Sequence, residues 1–293
     1  MSASSFTAVD LSRLIAPTLI ETISYETILA ELTADLQSRW AVHSPSDPLV
    51  LLDTDPAMIV LQTVAYRITI ERQRINDAAK GVMIAYALGT DLDNLAAVFG
   101  VTRLTDETDD ALRERVILAP ESYSVAGPEG AYTYWARSAD PTIMDAKATS
   151  PTPGDVVVSL LSSIADGTAD DDQIDAVEAI VATVAGNAVR PLTDNVTVQS
   201  AEIVSYTVAA ALTLFAGPDP TVVLATSQAA LADYIARAKR IGRDITRAGL
   251  LGALVVEGVQ NVTLTLPAAD LVISDTQAAH CAGSTVTVAG YGS

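Results

Sequence analysis

The chain has 293 residues and a formal net charge of −19; 49% of its residues are hydrophobic and only 18% charged. That length supports two or three domains with cores of their own. No window approaches the roughly 18 consecutive apolar residues of a membrane span, so the apolar surplus is expected to be covered by protein, partly by other chains. The charge is uneven, −10 over residues 1–140, −7 over 141–200 and −2 over 201–293. Such a field repels phosphate backbones and anionic headgroups, so neither nucleic acid nor a membrane surface is an expected partner.

Cys281 stands alone, so no internal disulfide forms, and MSASSFTAVD lacks the pattern of a secretory signal. The expectation is a chain made and kept in a reducing cytoplasm.

In chain order, Ile28, Leu29, Leu32, Leu36 and Trp40 recur at helical spacing behind Ser24, an expected N-cap. A loop with Pro45 and Pro48 follows. Asp55-Pro56 then opens what reads as the longest helix, Ala57 to about Leu88, interrupted only by Gly81. Met58, Ile59, Val60 and Leu61 surround its first turn, which predicts burial on most sides, within the chain or against another. Short helices follow around Leu92–Val98 and, behind Thr108, over Asp109–Arg115; acidic residues in that first turn complement the helix dipole. From Gly127-Pro128 a last helix carries Tyr132, Tyr134 and Trp135, rings suited either to core packing or to an interface.

The stretch Pro120–Leu161 is where the period changes from helical to alternating. After Asp140-Pro141 the expectation is a strand from Ile143 to Ser150, a turn at Pro151–Gly154 and a strand from Asp155 to Leu161. A helix from Gln173 to about Ala185, stopped by Gly186, and a strand over Asn195–Gln199 complete a β-β-α-β unit. A second unit has a strand over Glu202–Phe215, helices over Thr221–Arg240 and Thr246–Glu257, and a strand over Val259–Leu266. The predicted class is therefore α+β. The expected domains are a helical region over 1–139, an α/β domain over 140–200, and a second one with a C-terminal tail over 201–293.

The chain has no Walker loop, dinucleotide fingerprint, HExxH, nucleophile elbow or CxxC pair. No catalytic, metal-binding or cofactor-binding residues are assigned. Asp170–Asp172 read as a helix start rather than a cation site, and His280-Cys281 lacks two further ligands for zinc. The basic group Arg237, Lys239, Arg240, Arg243 and Arg247 suits either an acidic partner or a helix C-terminus.

The segment GPEGAYTYWARSADPTIMDAKATSPTPGDVVVSLL resembles the central signature of the phage baseplate J protein family, the wedge components of contractile tails. APTLIETISYETILAEL, ALGTDLDNLAAVFGV, ALRERVILAPESYSVAGP and RIGRDITRAGLLGALVVEGVQNVTLTLP resemble that family too, in the same order; the tail beyond Leu266 is less recognisable. The resemblance implies a helical region followed by two small α/β domains, and no enzymatic activity. It also implies a wedge in which a second copy of the chain and a smaller wedge protein form a heterotrimer. Neighbouring wedges would close a ring around the central hub and spike, below the sheath, in a phage, a phage-like bacteriocin (tailocin) or a related contractile injection system.

Under that reading Gly127, Pro128, Pro141, Pro153 and Gly154 are candidate joint residues, and Tyr132, Tyr134 and Trp135 candidate packing or interface residues. Bending is expected at Asp140-Pro141 and near Ser200. Two other classes stay open on the residues alone: a non-catalytic α+β ligand-binding module, and a carboxylate-dependent enzyme using Asp166 and Asp170–Asp172.

Overall fold

The computed structural model describes residues 17, 20–124, 126–182, 189–191, 193–217 and 219–292, which fall into two compact units divided between Val98 and Phe99. The fold is α+β, as predicted.

The first unit is helical: α1 (Tyr25–His43), α2 (Pro56–Gly81) and α3 (Gly89–Val98). Ser24 caps α1 as expected, its hydroxyl accepting the Thr27 N–H at 3.2 Å. Asp55 occupies the N-cap position of α2, but its carboxylate accepts the Leu52 N–H (2.8 Å) and leaves the helix without a side-chain cap. Pro56 fills the first turn, where a missing N–H costs little.

α2 ends at Gly81, short of the expected Leu88, and the chain then turns on the Met83 carbonyl, which accepts from Tyr86 and Ala87. Gly81 admits Asp91 closely: a Cβ there would lie 2.8 Å from the Asp91 carboxylate. Buried Asn76 ties α2 to the segment before α1, accepting the Glu21 N–H (3.1 Å) and donating to its carbonyl (2.9 Å).

The second unit begins with α4 (Asp109–Leu118), a short 3-10 turn (Ala119–Tyr123) and α5 (Glu129–Ala139). Thr108 caps α4 through the Ala111 N–H. A three-stranded sheet follows, with β1 (Ile143–Thr149) antiparallel to β2 (Asp155–Ser162) and β2 parallel to β3 (Asn195–Ser200). The parallel pair needs a crossover, which α6 (Asp171–Val181) supplies. Asp170 and Gln173 form a capping box at the start of α6, with Gln173 N–H to Asp170 Oδ1 at 2.9 Å and Asp170 N–H to Gln173 Oε1 at 3.1 Å. That accounts for the aspartate run. The expected end of this helix, with Val184, Ala185 and Gly186, lies outside the described residues.

Tyr132 and Ala136 of α5 pack with Val177 and Val181 of α6 on Ile143, Ala146, Val158, Leu160 and Val198 of the sheet. Central strand β2 is buried on both faces, which is why it is apolar over Val156–Leu161 but for the buried Ser159.

A second three-stranded sheet places β4 (Glu202–Leu214) between β5 (Val259–Leu266), antiparallel, and β6 (Gln277–Tyr291), parallel. Helices α7 (Pro220–Ala238) and α8 (Arg247–Leu254) contribute Val223, Leu231, Leu250 and Leu254 to its core, against Val208, Leu212, Leu214 and Leu264. β6 was not anticipated from the sequence. The tail holds the longest strand among the described residues, and His280-Cys281 lies within it.

Candidate functional site: an apolar helical surface and a joint between modules

The helical unit has a thin core. Among its described residues the buried apolar side chains are Ile28, Met58, Leu92 and the alanines Ala65, Ala79, Ala87 and Ala96. Alanine adds little apolar area, so three large side chains carry most of the burial. Outside, Val50, Leu52, Ile59, Val60, Val64, Tyr66, Ile75 and Val82 are exposed. Twelve of the twenty exposed large hydrophobic residues among those described belong to residues 20–98. On α2, Met58 and Ala65 face inward while Ile59, Val60, Val64 and Tyr66 face out. An apolar surface of this extent is characteristic of a contact face.

In the α/β unit, the two sheet modules meet at a small joint. Leu161, Ala201, Ile241 and Ala278 are buried there, with Met144 and Ile203 packed on them. β3 passes into β4 through Ala201 alone, whose N–H bonds the Leu160 carbonyl at 2.7 Å, while the Glu202 N–H bonds Thr276 at 3.0 Å. The crossing near Ser200 is therefore hydrogen-bonded and buried, not a solvated linker.

Polar contacts frame it. Glu114 of α4 accepts from Arg137 of α5 (2.7 Å) and from Arg240 beyond α7 (3.0 Å). Asp145, at a bulge in β1, accepts the Ile241 N–H at 2.9 Å. Burial pushes the Asp145 carboxyl above the usual carboxylate range, opposed by the Ile241 N–H, Arg240 and Arg137. Lys147 pairs with Asp275 at 2.7 Å. Beside these groups α4, α5 and β1 enclose a cleft of about 410 Å³, lined by Asp106, Asp110, Glu114, Arg137, Ile143, Met144 and Arg240 among others.

The five candidate joint residues lie at three turns. Gly127 (φ +67) enters α5 against Pro191 and Asp194, and Pro128 is the N-cap position of α5. Pro141 follows Asp140, whose carboxylate accepts the Thr142 N–H at 2.7 Å. Pro153 and Gly154 form the exposed β1–β2 turn, where Gly154 (φ +92) gives its carbonyl to the Asn195 N–H at 2.7 Å. Of the three rings, Tyr132 is buried in the first module's core and donates to Asp194 at 2.7 Å. Burial, then the neighbouring Asp194, drives its phenol well above the ordinary tyrosine range. Tyr134 is buried and Trp135 half-buried, and their rings meet edge to face at 5.1 Å.

Tyr132→Phe is expected to cost about 1 kcal/mol, the net value of one side-chain hydrogen bond. Urea unfolding measures it, and an unchanged midpoint would mean that the Asp194 contact contributes nothing.

The basic group is occupied internally. Arg237 pairs with Asp233, Lys239 donates to the Ala165 carbonyl, Arg240 holds Glu114, Arg243 reaches the Arg237 carbonyl, and Arg247 donates to the Leu264 carbonyl. Asp166 caps its own loop at the Thr168 N–H. Among the described residues no group of three or more His, Cys, Asp or Glu side chains is placed to hold a metal ion, and no helix is long and apolar enough to cross a membrane.

Three descriptions of one family match in chain order: the Baseplate J-like N-terminal domain at residues 53–110, the central domain at 124–200 and the C-terminal domain at 206–289. The chain belongs to the Baseplate J family. Among its relatives, baseplate protein J of Escherichia phage P2 is 40% identical over 303 residues, spanning 96% of this chain and 98% of that protein.

Proposed function

We propose that the chain is a non-enzymatic structural subunit of a baseplate wedge, in a contractile phage tail, a tailocin or a related injection particle. It is made in the bacterial cytoplasm and resides in the tail baseplate. There it assembles with a second copy and a smaller wedge protein, meets neighbouring wedges around the hub and spike, and rearranges when the sheath contracts. Residues 1–139 serve as the assembly region, and 140–200 and 201–293 as two α/β domains. Gly127, Pro128, Pro141, Pro153 and Gly154 set the backbone at the turns, with Tyr132, Tyr134 and Trp135 packing beside them.

The observation that carries this reading is the helical unit's thin core beneath an apolar surface, in a chain of the Baseplate J family. Such a unit gains stability by burying Ile59, Val60, Val64 and Tyr66 against other chains. Native mass measurement of the chain co-expressed with the neighbouring tail proteins should show a hetero-oligomer; a stable monomer that ignores all of them counts against the proposal. In the double variant Val60→Asp/Tyr66→Asp, assembly is expected to weaken by about 30-fold or more, as for loss of an interface hot spot. Thermal unfolding of the α/β unit should stay unchanged. Undiminished assembly would exclude this face as the contact.

A further inference from the structure

We infer that Glu114, Arg240 and the Asp145–Ile241 contact form a latch that sets the angle between the two α/β modules, and that its release lets the C-terminal module turn about Ser200–Glu202. The inference concerns the isolated chain and stands whether or not the particle is the one proposed above.

The apolar contribution to the joint is small. Among the described residues four buried side chains bridge the modules, while sixteen and eleven fill the cores on either side. Apolar burial is non-directional, so a patch this small holds the modules together without fixing their angle. The main chain crosses once, through Ala201. A single crossing at the end of one strand and the start of the next is where a hinge absorbs a change of φ and ψ.

Directional contacts fix what remains, and most come from one short stretch. Lys239 reaches the Ala165 carbonyl, Arg240 reaches Glu114, and the Ile241 N–H reaches Asp145. Lys147 and Asp275 add one exposed pair beside Gly242. Moving the C-terminal module by a few ångströms breaks all of these together, because 239–241 is rigidly continued from α7 and paired with β6 through Ile241 and Ala278.

The cluster also has an alternative pairing built in. Glu114 is shared by two guanidinium groups, and Asp145 lies in the field of both. Arg137 is buried, yet its Nε has no hydrogen-bond partner among the described residues. When Arg240 leaves, Arg137 still pairs with Glu114, whose side chain is 42% exposed, and buried Asp145 keeps the Ala146 N–H at 3.0 Å, so the opened joint leaves neither carboxylate without a partner, the outcome that makes breaking buried pairs costly. A contact that releases without that penalty suits a switch. The cleft beside it leaves solvent access to the parting groups.

Hydrogen exchange on the full chain tests this. In Arg240→Ala, the Ile241 amide should exchange at least tenfold faster, while amides of Val158–Leu160 and Leu212–Leu214 keep their protection. Arg240→Lys, which retains the charge, should restore most of the slow exchange. If Arg240→Ala lowers protection everywhere, Glu114→Gln decides: it removes the charge from the pair and should again quicken Ile241 exchange selectively. Unchanged exchange at Ile241 in both variants, or a rise only in step with the two cores, overturns the latch.

Discussion

Replacing Arg115 by methionine is expected to destabilise the α/β unit by about 3–5 kcal/mol, the usual cost of removing one partner from a buried ion pair. Arg115 and Glu107 are both almost wholly buried. The guanidinium forks onto the carboxylate with Nε to Oε1 at 2.6 Å and Nη2 to Oε2 at 2.8 Å. It also donates to the Thr102 carbonyl (2.7 Å) and the Ser138 hydroxyl (3.2 Å). Glu107 accepts the Leu104 N–H as well. One side chain thus ties the loop before α4 to α4 and to the last turn of α5. With methionine there, Glu107 stays buried without the guanidinium that pairs with it. A fall in Tm of roughly 10 °C follows for a unit of this size. Replacing both residues, as Glu107→Gln/Arg115→Met, should recover part of the loss, because no lone charge is then buried. Equal unfolding midpoints for the single variant and the parent would show that the pair contributes no net stability.

Gly127→Ala should produce the second large effect. The residue sits at φ +67, which costs a side-chain-bearing residue roughly 1–3 kcal/mol. A Cβ would also lie 2.7 and 2.8 Å from the Pro191 ring, which has no rotamer to yield with, and 3.0 Å from the Asp194 carboxylate that receives the Tyr132 hydroxyl. Gly154→Ala provides the comparison. Its φ is +92, but a Cβ there meets only the Thr193 carbonyl, at an ordinary 3.7 Å. Urea denaturation of both variants separates the terms: Gly154→Ala reports the backbone alone, and the excess in Gly127→Ala reports displacement of Pro191. Equal losses would mean that the Pro191 loop gives way freely.

Much of this architecture was legible because local chemistry and global position agree. Ser24, Thr108 and Asp170 cap helices where their residue types prescribe, and the changes of period at Ile143 and Glu202 mark true strand starts. β6 was not legible. The run QAAHCAGSTVTVAGY offers small residues where a strand pattern needs large apolar ones, and its identity as a strand comes from pairing with β4 across some seventy residues. The end of α2 was misjudged as well: the apolar residues after Gly81 continue a helical period, while the chain there turns on the Met83 carbonyl.

The polar contacts of the joint were hidden, although a boundary near Ser200 was expected. Glu114 and Arg240 are 126 positions apart, Asp145 and Ile241 are 96 apart, and nothing near either member signals the other. The basic group around Arg240 suggested an external acid or a helix end; the structure gives four of its five members internal partners beyond a plain helix-end role. The outward apolar face of α2 was visible only as excess, since a pattern that is apolar all round does not say which side its own chain covers.

The parallel pairing of β4 with β6 has a consequence for synthesis. As the chain leaves the ribosome, the first α/β module has all three strands once Ser200 has emerged. The second cannot close until residues 277–291 follow, because β6 covers one whole side of β4 from Glu202 to Leu214. In that interval β4 presents thirteen residues of unsatisfied strand edge, the kind of template that pairs with other chains. Nascent chains stalled just before β6 should therefore be the most aggregation-prone of any length, and the yield of soluble chain should respond to translation speed over the codons for residues 215–291 more than to that over the codons for residues 20–98.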